Sequence, residues 1–239
     1  MPFRKWCVLL CILISIIVAG CGYYKENRAV SRGKKVLAKK EKDVEDLESV
    51  RGELRKVVDM KLKAAQYLES TLRLLGTKYM EIGSYSLAED AFVEAEFLQP
   101  YSAFIKKDLG ECYYFLAIAT VEKEEREYWL ERSRVYYKKA LDIKPDLLEA
   151  MYGYGFLLAF GYEEWASAIE QIKLMLDYDP KNIDAHFALG RFYYETGDLG
   201  KALNEYLTLT RLLPRSSPKR EKVEENILRI NRETGIDEK

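Results

Sequence analysis

The sequence predicts an all-α chain built as a solenoid of stacked helix pairs, with an amphipathic helix before it and a capping helix after it. Three observations carry this. One pattern of small, aromatic and proline residues recurs four times between residues 69 and 216. Only 6 Pro and 14 Gly occur in 239 residues, too few turn-formers for an all-β sandwich. A composition of 48% hydrophobic and 32% charged residues belongs to a folded chain with long polar helix faces.

The repeats align residue by residue. The first runs Leu72, Leu75-Gly76, Tyr79, Gly83, Ala88, Phe92, Ala95, Pro100, and the fourth runs His186, Leu189-Gly190, Tyr193, Gly197, Ala202, Tyr206, Leu209, Pro214, with identical spacing. The third has Met151, Tyr154-Gly155, Leu158, Ala168, Ile172, Met175 and Pro180, with one residue more between its glycine and its proline. The second has Leu109-Gly110, Tyr113, Ser133, Tyr137, Ala140 and Pro145, and is longer still. Glycines and alanines let two helices approach, aromatic and aliphatic side chains fill the space between pairs, and each proline ends a second helix. Met175 and Leu209 stand where the first two repeats have Ala95 and Ala140. This pattern resembles the tetratricopeptide repeat, a 34-residue helix-turn-helix unit. The resemblance implies a right-handed solenoid of four repeats at 69–102, 103–147, 148–182 and 183–216.

The additional residues of the second repeat, Ala117 to Trp129, contain no Gly or Pro. They predict two lengthened helices with a charged tip at Glu122 to Glu127. Tyr128 and Trp129 then either cover the ends of the long pair or form a second site. Before the repeats, Leu37, Val44, Leu47, Leu54, Val58, Leu62 and Ala65 form one helical stripe, predicting an amphipathic helix over 36–68. After them, Ser217-Pro218 reads as an N-cap and first helical position, and Gly235 as the stop of a capping helix over 217–235.

The N-terminus reads as an address. Arg4 and Lys5 precede an uncharged stretch from Trp6 to Val18, too short to span a bilayer comfortably but fitting the apolar region of a secretory signal. Val18-Ala19-Gly20-Cys21 resembles the lipobox of bacterial lipoproteins. The resemblance implies removal of residues 1–20 and a membrane anchor through lipid on Cys21. A plain N-terminal anchor with a chance cysteine is the other reading. After processing only Cys112 remains, set among aromatic residues as a small buried hydrophobe. Residues 21–35 read as a basic tether: Lys25 to Lys42 carries a net charge of +6, and Tyr67 to Lys239 one of −8. The basic stretch rests on anionic headgroups or serves as a solvated linker.

The chain holds 38 basic and 39 acidic residues, a balance that argues against nucleic-acid binding. Its single histidine, His186, falls at a packing position. No nucleotide loop and no C-x-x-C pair occurs, so no enzyme, metal or cofactor is expected. The repeat resemblance instead implies a protein or peptide partner on the concave face, lined by the first helix of each repeat. The corresponding residues are Arg73, Phe104, Lys107, Tyr114, Phe115, Tyr152, Phe156, Phe160, Phe187, Arg191 and Tyr194. Some of these rings would serve to close the solenoid itself. The Lys, Asn and Arg clamp of chaperone-binding members is absent, since its positions hold Arg73, Thr77, Asp108, Glu149 and Gly153, so an apolar helix or extended segment is the expected ligand. The expected function is a lipid-anchored, periplasm-facing interaction scaffold of a bacterial envelope complex, of the outer-membrane assembly or pilus and secretion type. Gly22, where an Asp would favour the inner membrane, points to the outer one. The alternative is an accessory ligand-binding lipoprotein of a periplasmic solute transport system. The oligomeric state is left open.

Overall fold

A computed structural model describes residues 24–39, 41 and 43–235, and all regular structure among them is helical. The lipid-attachment residue Cys21 and the signal before it lie outside the described residues. The chain divides into two units, one up to Leu68 and one from Glu69 onward.

In the first unit, residues 24–37 form a helix, α1, and α2 (Val44–Glu81) begins after a short break. The charge pattern alone suggests a tether for the first of these stretches and a helix starting at 36. Ala29, Gly33 and Val36, however, fall three and four residues apart and are buried together, so they make an apolar edge. Gly33 brings this edge against Leu54 and Val50 of α2; a Cβ on it would lie 3.2 Å from Leu54 Cδ1. Arg32–Glu53 and Lys39–Asp46 pair at 2.5 Å across the same hairpin. The Asp43 carboxylate accepts from Glu45 N at 3.3 Å and helps begin α2.

The second unit stacks helix pairs. The end of α2 precedes α3 (Tyr85–Leu98); α4 (Ala103–Ala119) pairs with α5 (Lys123–Ile143), α6 (Leu148–Phe156) with α7 (Trp165–Tyr178), and α8 (Ile183–Glu195) with α9 (Leu199–Leu212). α10 (Pro218–Thr234) follows and packs on α9, burying Val223 and Ile230. Pro218 opens it, and Gly235 ends it in the left-handed region at φ 68°. Each α-helical pair meets where a glycine of the first helix faces a large side chain of the second. An added Cβ would come within 2.5 Å of Phe92 at Gly76, 3.0 Å of Tyr137 at Gly110, 2.7 Å of Ile172 at Gly155 and 2.8 Å of Tyr206 at Gly190. Met175 and Leu209 are buried in the same core despite their size.

The third pair has a feature of its own. Leu157–Gly161 is a π-helical turn continuing α6. The interval from Gly155 to Trp165 is one residue longer than those from Gly76 to Tyr85 and from Gly190 to Leu199. The wide turn absorbs that residue without breaking the helix. In the second pair the additional residues lengthen both helices, to 17 residues in α4 and 21 in α5. Trp129 does not project from this pair; it stacks on buried Tyr113 with ring centroids 5.6 Å apart, while Tyr128 stays 52% exposed beside it.

Candidate functional site: a two-part groove on the first helices

Local caps orient the helices that build the inner face. Asn182 Oδ1 accepts from Ala185 N at 2.9 Å at the start of α8, and Ser102 Oγ accepts from Ile105 N at the start of α4. On that face lie two adjoining depressions. Lys107, Glu111, Tyr114, Phe115, Leu148, Glu149, Tyr152 and Phe156 line the N-terminal one. Tyr152, Phe156, Phe187, Arg191, Tyr194 and Tyr206 line the C-terminal one, together with Lys219, Lys222 and Arg229 of α10. Tyr152, Phe156 and Asp184 border both, so the two are continuous.

The floor is aromatic. The Tyr152 and Phe156 rings lie 4.6 Å apart, and Phe156 rests on Phe192 at 5.2 Å. Tyr114, Phe115, Tyr152, Phe156, Phe187 and Tyr194 are all half-buried. Burial raises the phenol pKa of Tyr114 and of Tyr152, so both remain hydroxyl donors at any physiological pH.

Of the residues read from the sequence, Lys107, Tyr114, Phe115, Tyr152, Phe156, Phe187, Arg191 and Tyr194 are gathered here. Three are not. Arg73 is held by Asp108 at 2.8 Å and lies 5.7 Å from the Phe104 ring centroid. Phe104 lines a shallow cleft beside Tyr101, Ile143 and Lys144. Phe160 belongs to the π turn and packs on Trp165 and Phe192 at 5.3 and 5.9 Å; Arg191 covers it at 4.2 Å. The extra residue of that turn rotates Phe160 away from the position its counterparts Phe115 and Glu195 occupy.

The sequence reading missed the contribution of α10. A repeat pattern is silent about a flanking helix, yet Lys219 reaches Asp184 at 2.9 Å and Arg229 lies 5.5 Å from the Tyr194 ring. Tyr194 Oη also donates to Glu233 at 2.5 Å. His186 is a packing residue: its Nδ1 lies 2.7 Å from Glu205 and its Nε2 3.2 Å from the Pro180 carbonyl, tying α8 to α9. Cys112 is buried and its thiol donates to the Tyr85 carbonyl. Among the described residues, no group of three or more His, Cys, Asp and Glu is placed to hold a metal ion.

Comparison with known proteins agrees with this architecture. Residues 159–219 match the sequence model of the tetratricopeptide repeat. Anaphase-promoting complex subunit CDC16 of Saccharomyces cerevisiae is 28% identical over 149 residues, which is 60% of this chain and 16% of that protein. The chain thus matches only a small part of that relative's length. Among solved structures, a thermophilic TPR protein of Thermus thermophilus superposes with a TM-score of 0.63 at 18% identity, covering 85% of this chain and 99% of the other. Human IFIT1 gives 0.62 at 19% identity, covering 79% and 45%. MamA of Desulfovibrio magneticus RS-1 gives 0.55 at 16% identity, covering 70% and 86%. These likenesses show the fold, a helical solenoid of the tetratricopeptide-repeat kind.

Proposed function

We propose that this chain is a protein-binding scaffold of the bacterial cell envelope, held to a membrane by lipid on Cys21 and facing the periplasm. Its partner is a protein or peptide segment laid along the inner face of the solenoid. The observation that carries this reading is the continuous groove floored by half-buried rings from three successive repeats. Aromatic side chains with one face packed and one free supply large contact area at small entropic cost, and they are the usual energetic centres of interfaces. α10 acts as the polar end of the array, since it buries Val223 and Ile230 and leaves Glu221, Glu224 and Glu225 exposed. The envelope location rests on Val18-Ala19-Gly20-Cys21 and the short apolar run before it, and the outer membrane on Gly22. A role in outer-membrane assembly or in pilus or secretion machinery follows from such a placement.

The test is crosslinking in intact envelopes, comparing the parent chain with a Tyr114→Ala, Tyr152→Ala variant. These two rings are chosen because neither is part of the fully buried core. Loss of both is expected to weaken partner capture by about 2 kcal/mol or more, beyond whatever fall in stability a thermal melt of the same variant records. Undiminished capture of the same partner would place the interface elsewhere. Cys21→Ser is expected to leave an unprocessed precursor without lipid; a mature lipid-free chain in the soluble fraction of the parent would refute the anchor.

A further inference from the structure

The two depressions differ in charge, and the difference runs along the groove. In the N-terminal one, Lys107 is committed to Asp108 at 2.6 Å and to Glu111 at 3.3 Å, while Glu149 makes no ion pair among the described residues. Acid is therefore in excess there. In the C-terminal one, Lys219 is neutralised by Asp184 at 2.9 Å, and Arg191 reaches Glu195 only at 3.9 Å. Lys222 and Arg229 meet no carboxylate among the described residues, which leaves cation in excess. Between the two lie the Tyr152 and Phe156 rings, with Phe187 just beyond.

Resting on the groove reading above, we propose that the site takes an extended peptide with segregated charge. Its cationic end lies over Glu111 and Glu149, an apolar or aromatic side chain sits on Tyr152, Phe156 and Phe187, and its anionic end meets Lys222 and Arg229. The anionic group is an Asp or Glu side chain or a terminal carboxylate, both of which these two cations bind by charge-assisted hydrogen bonds. Neighbouring helices pack about 8–10 Å apart, so the path from α4 past α6 and α8 to α10 is about 24–30 Å. An extended chain advances about 3.3–3.6 Å per residue, so about seven to nine residues cover it. Complementary potential at both ends fixes the register of the segment and rejects chains of uniform charge. This replaces the purely apolar ligand that the repeat positions alone suggest, and the reason is α10, which supplies Lys222 and Arg229.

Fluorescence anisotropy tests the proposal on the lipid-anchored chain in detergent. The probe is a labelled nonapeptide with two lysines at one end, a central Leu-Phe pair and two aspartates at the other. The comparison peptide has the same composition with lysines and aspartates alternating. At low salt the segregated peptide is expected to bind at least tenfold more tightly, and the advantage should shrink as added salt screens the ends. Lys222→Glu should reduce that preference at least fivefold. Lys222→Glu with Arg229→Glu should turn it toward a peptide cationic at both ends. Lys222 is exposed and makes no ion pair among the described residues, so its substitution leaves the fold intact, which a thermal melt verifies. Equal affinity for segregated and alternating peptides, or a preference unmoved by Lys222→Glu, overturns the charge order. If ring removal still abolishes envelope capture in that case, the groove stands and only the charge order falls. If neither charge nor ring removal matters, both readings fall.

Discussion

Glu163 holds the turn position that Gly197 holds one repeat later. Each lies two residues before its second helix, at Trp165 and Leu199, and each has positive φ, 58° for Glu163 and 77° for Gly197. Gly83 takes the same place before Tyr85 at φ 73°. A glutamate there bears a steric cost that glycine escapes, of about 1–2 kcal/mol. It is exposed, and the π turn before it sets the backbone it must follow.

Glu163→Gly should therefore stabilise the fold. The relief is partly offset by the greater freedom of glycine in the unfolded chain, leaving a gain of about 0.5–1 kcal/mol. Thermal unfolding should show a rise of a few degrees. Gly197→Glu should lower stability, because it recreates the strain in the neighbouring turn. No change in either variant would mean the turn relaxes freely.

Tight helix crossings should respond in the opposite sense to exposed glycine sites. At Gly190 an added methyl would meet the buried Tyr206 ring at 2.8 Å. Gly190→Ala should cost about 1–3 kcal/mol by overpacking. Gly52 sits within α2 with nothing near its would-be Cβ, so Gly52→Ala should gain about 0.5–1 kcal/mol from helix propensity alone. Chemical denaturation of the two variants side by side measures the contrast.

Cys112 should be inert in the native protein. Burial and the nearby carboxylates of Glu89 and Glu111 push its thiol up to about 12. At pH 8 only about one part in ten thousand is thiolate, the reactive form. Alkylation followed by peptide mapping should show Cys112 unmodified in the folded chain and fully modified in urea. Rapid modification of the native chain would contradict the packing around α4.

Glu89 should give stability a pH dependence. Burial raises its pKa in the folded state, only partly offset by the charge of Arg132 and a hydrogen bond from Tyr113. A carboxyl with a raised folded pKa binds its proton more tightly when folded. Its penalty is absent below the unfolded value and develops as pH rises through the folded one. Glu89→Gln should match the parent below the carboxylate range and exceed it at neutral pH. Denaturation at several pH values provides the comparison; an advantage confined to low pH would reverse the assigned cause.

The helix-pair pattern was legible because its determinants are local. A glycine or alanine where helices touch, a ring opposite it and a proline after each second helix recur at set intervals, and close packing tolerates little else at Gly76, Gly110, Gly155 and Gly190. The middle of the groove was legible for the same reason: a fixed register puts Tyr114, Tyr152 and Phe187 on one face. The sequence also showed that the third repeat has one residue too many.

What the tertiary structure alone decided is where such departures go. The surplus residue became a π turn that holds the half-buried Phe160 against Trp165 and Phe192, and it left Glu163 in a glycine's conformation. Residues 24–37, whose charge dominates their composition, became a helix because Ala29, Gly33 and Val36 found Val50 and Leu54. The cations of α10 entered the groove through a packing angle that no periodicity encodes. Spacing along the chain governs contacts within a helix pair; contacts between elements depend on how separately formed surfaces fit.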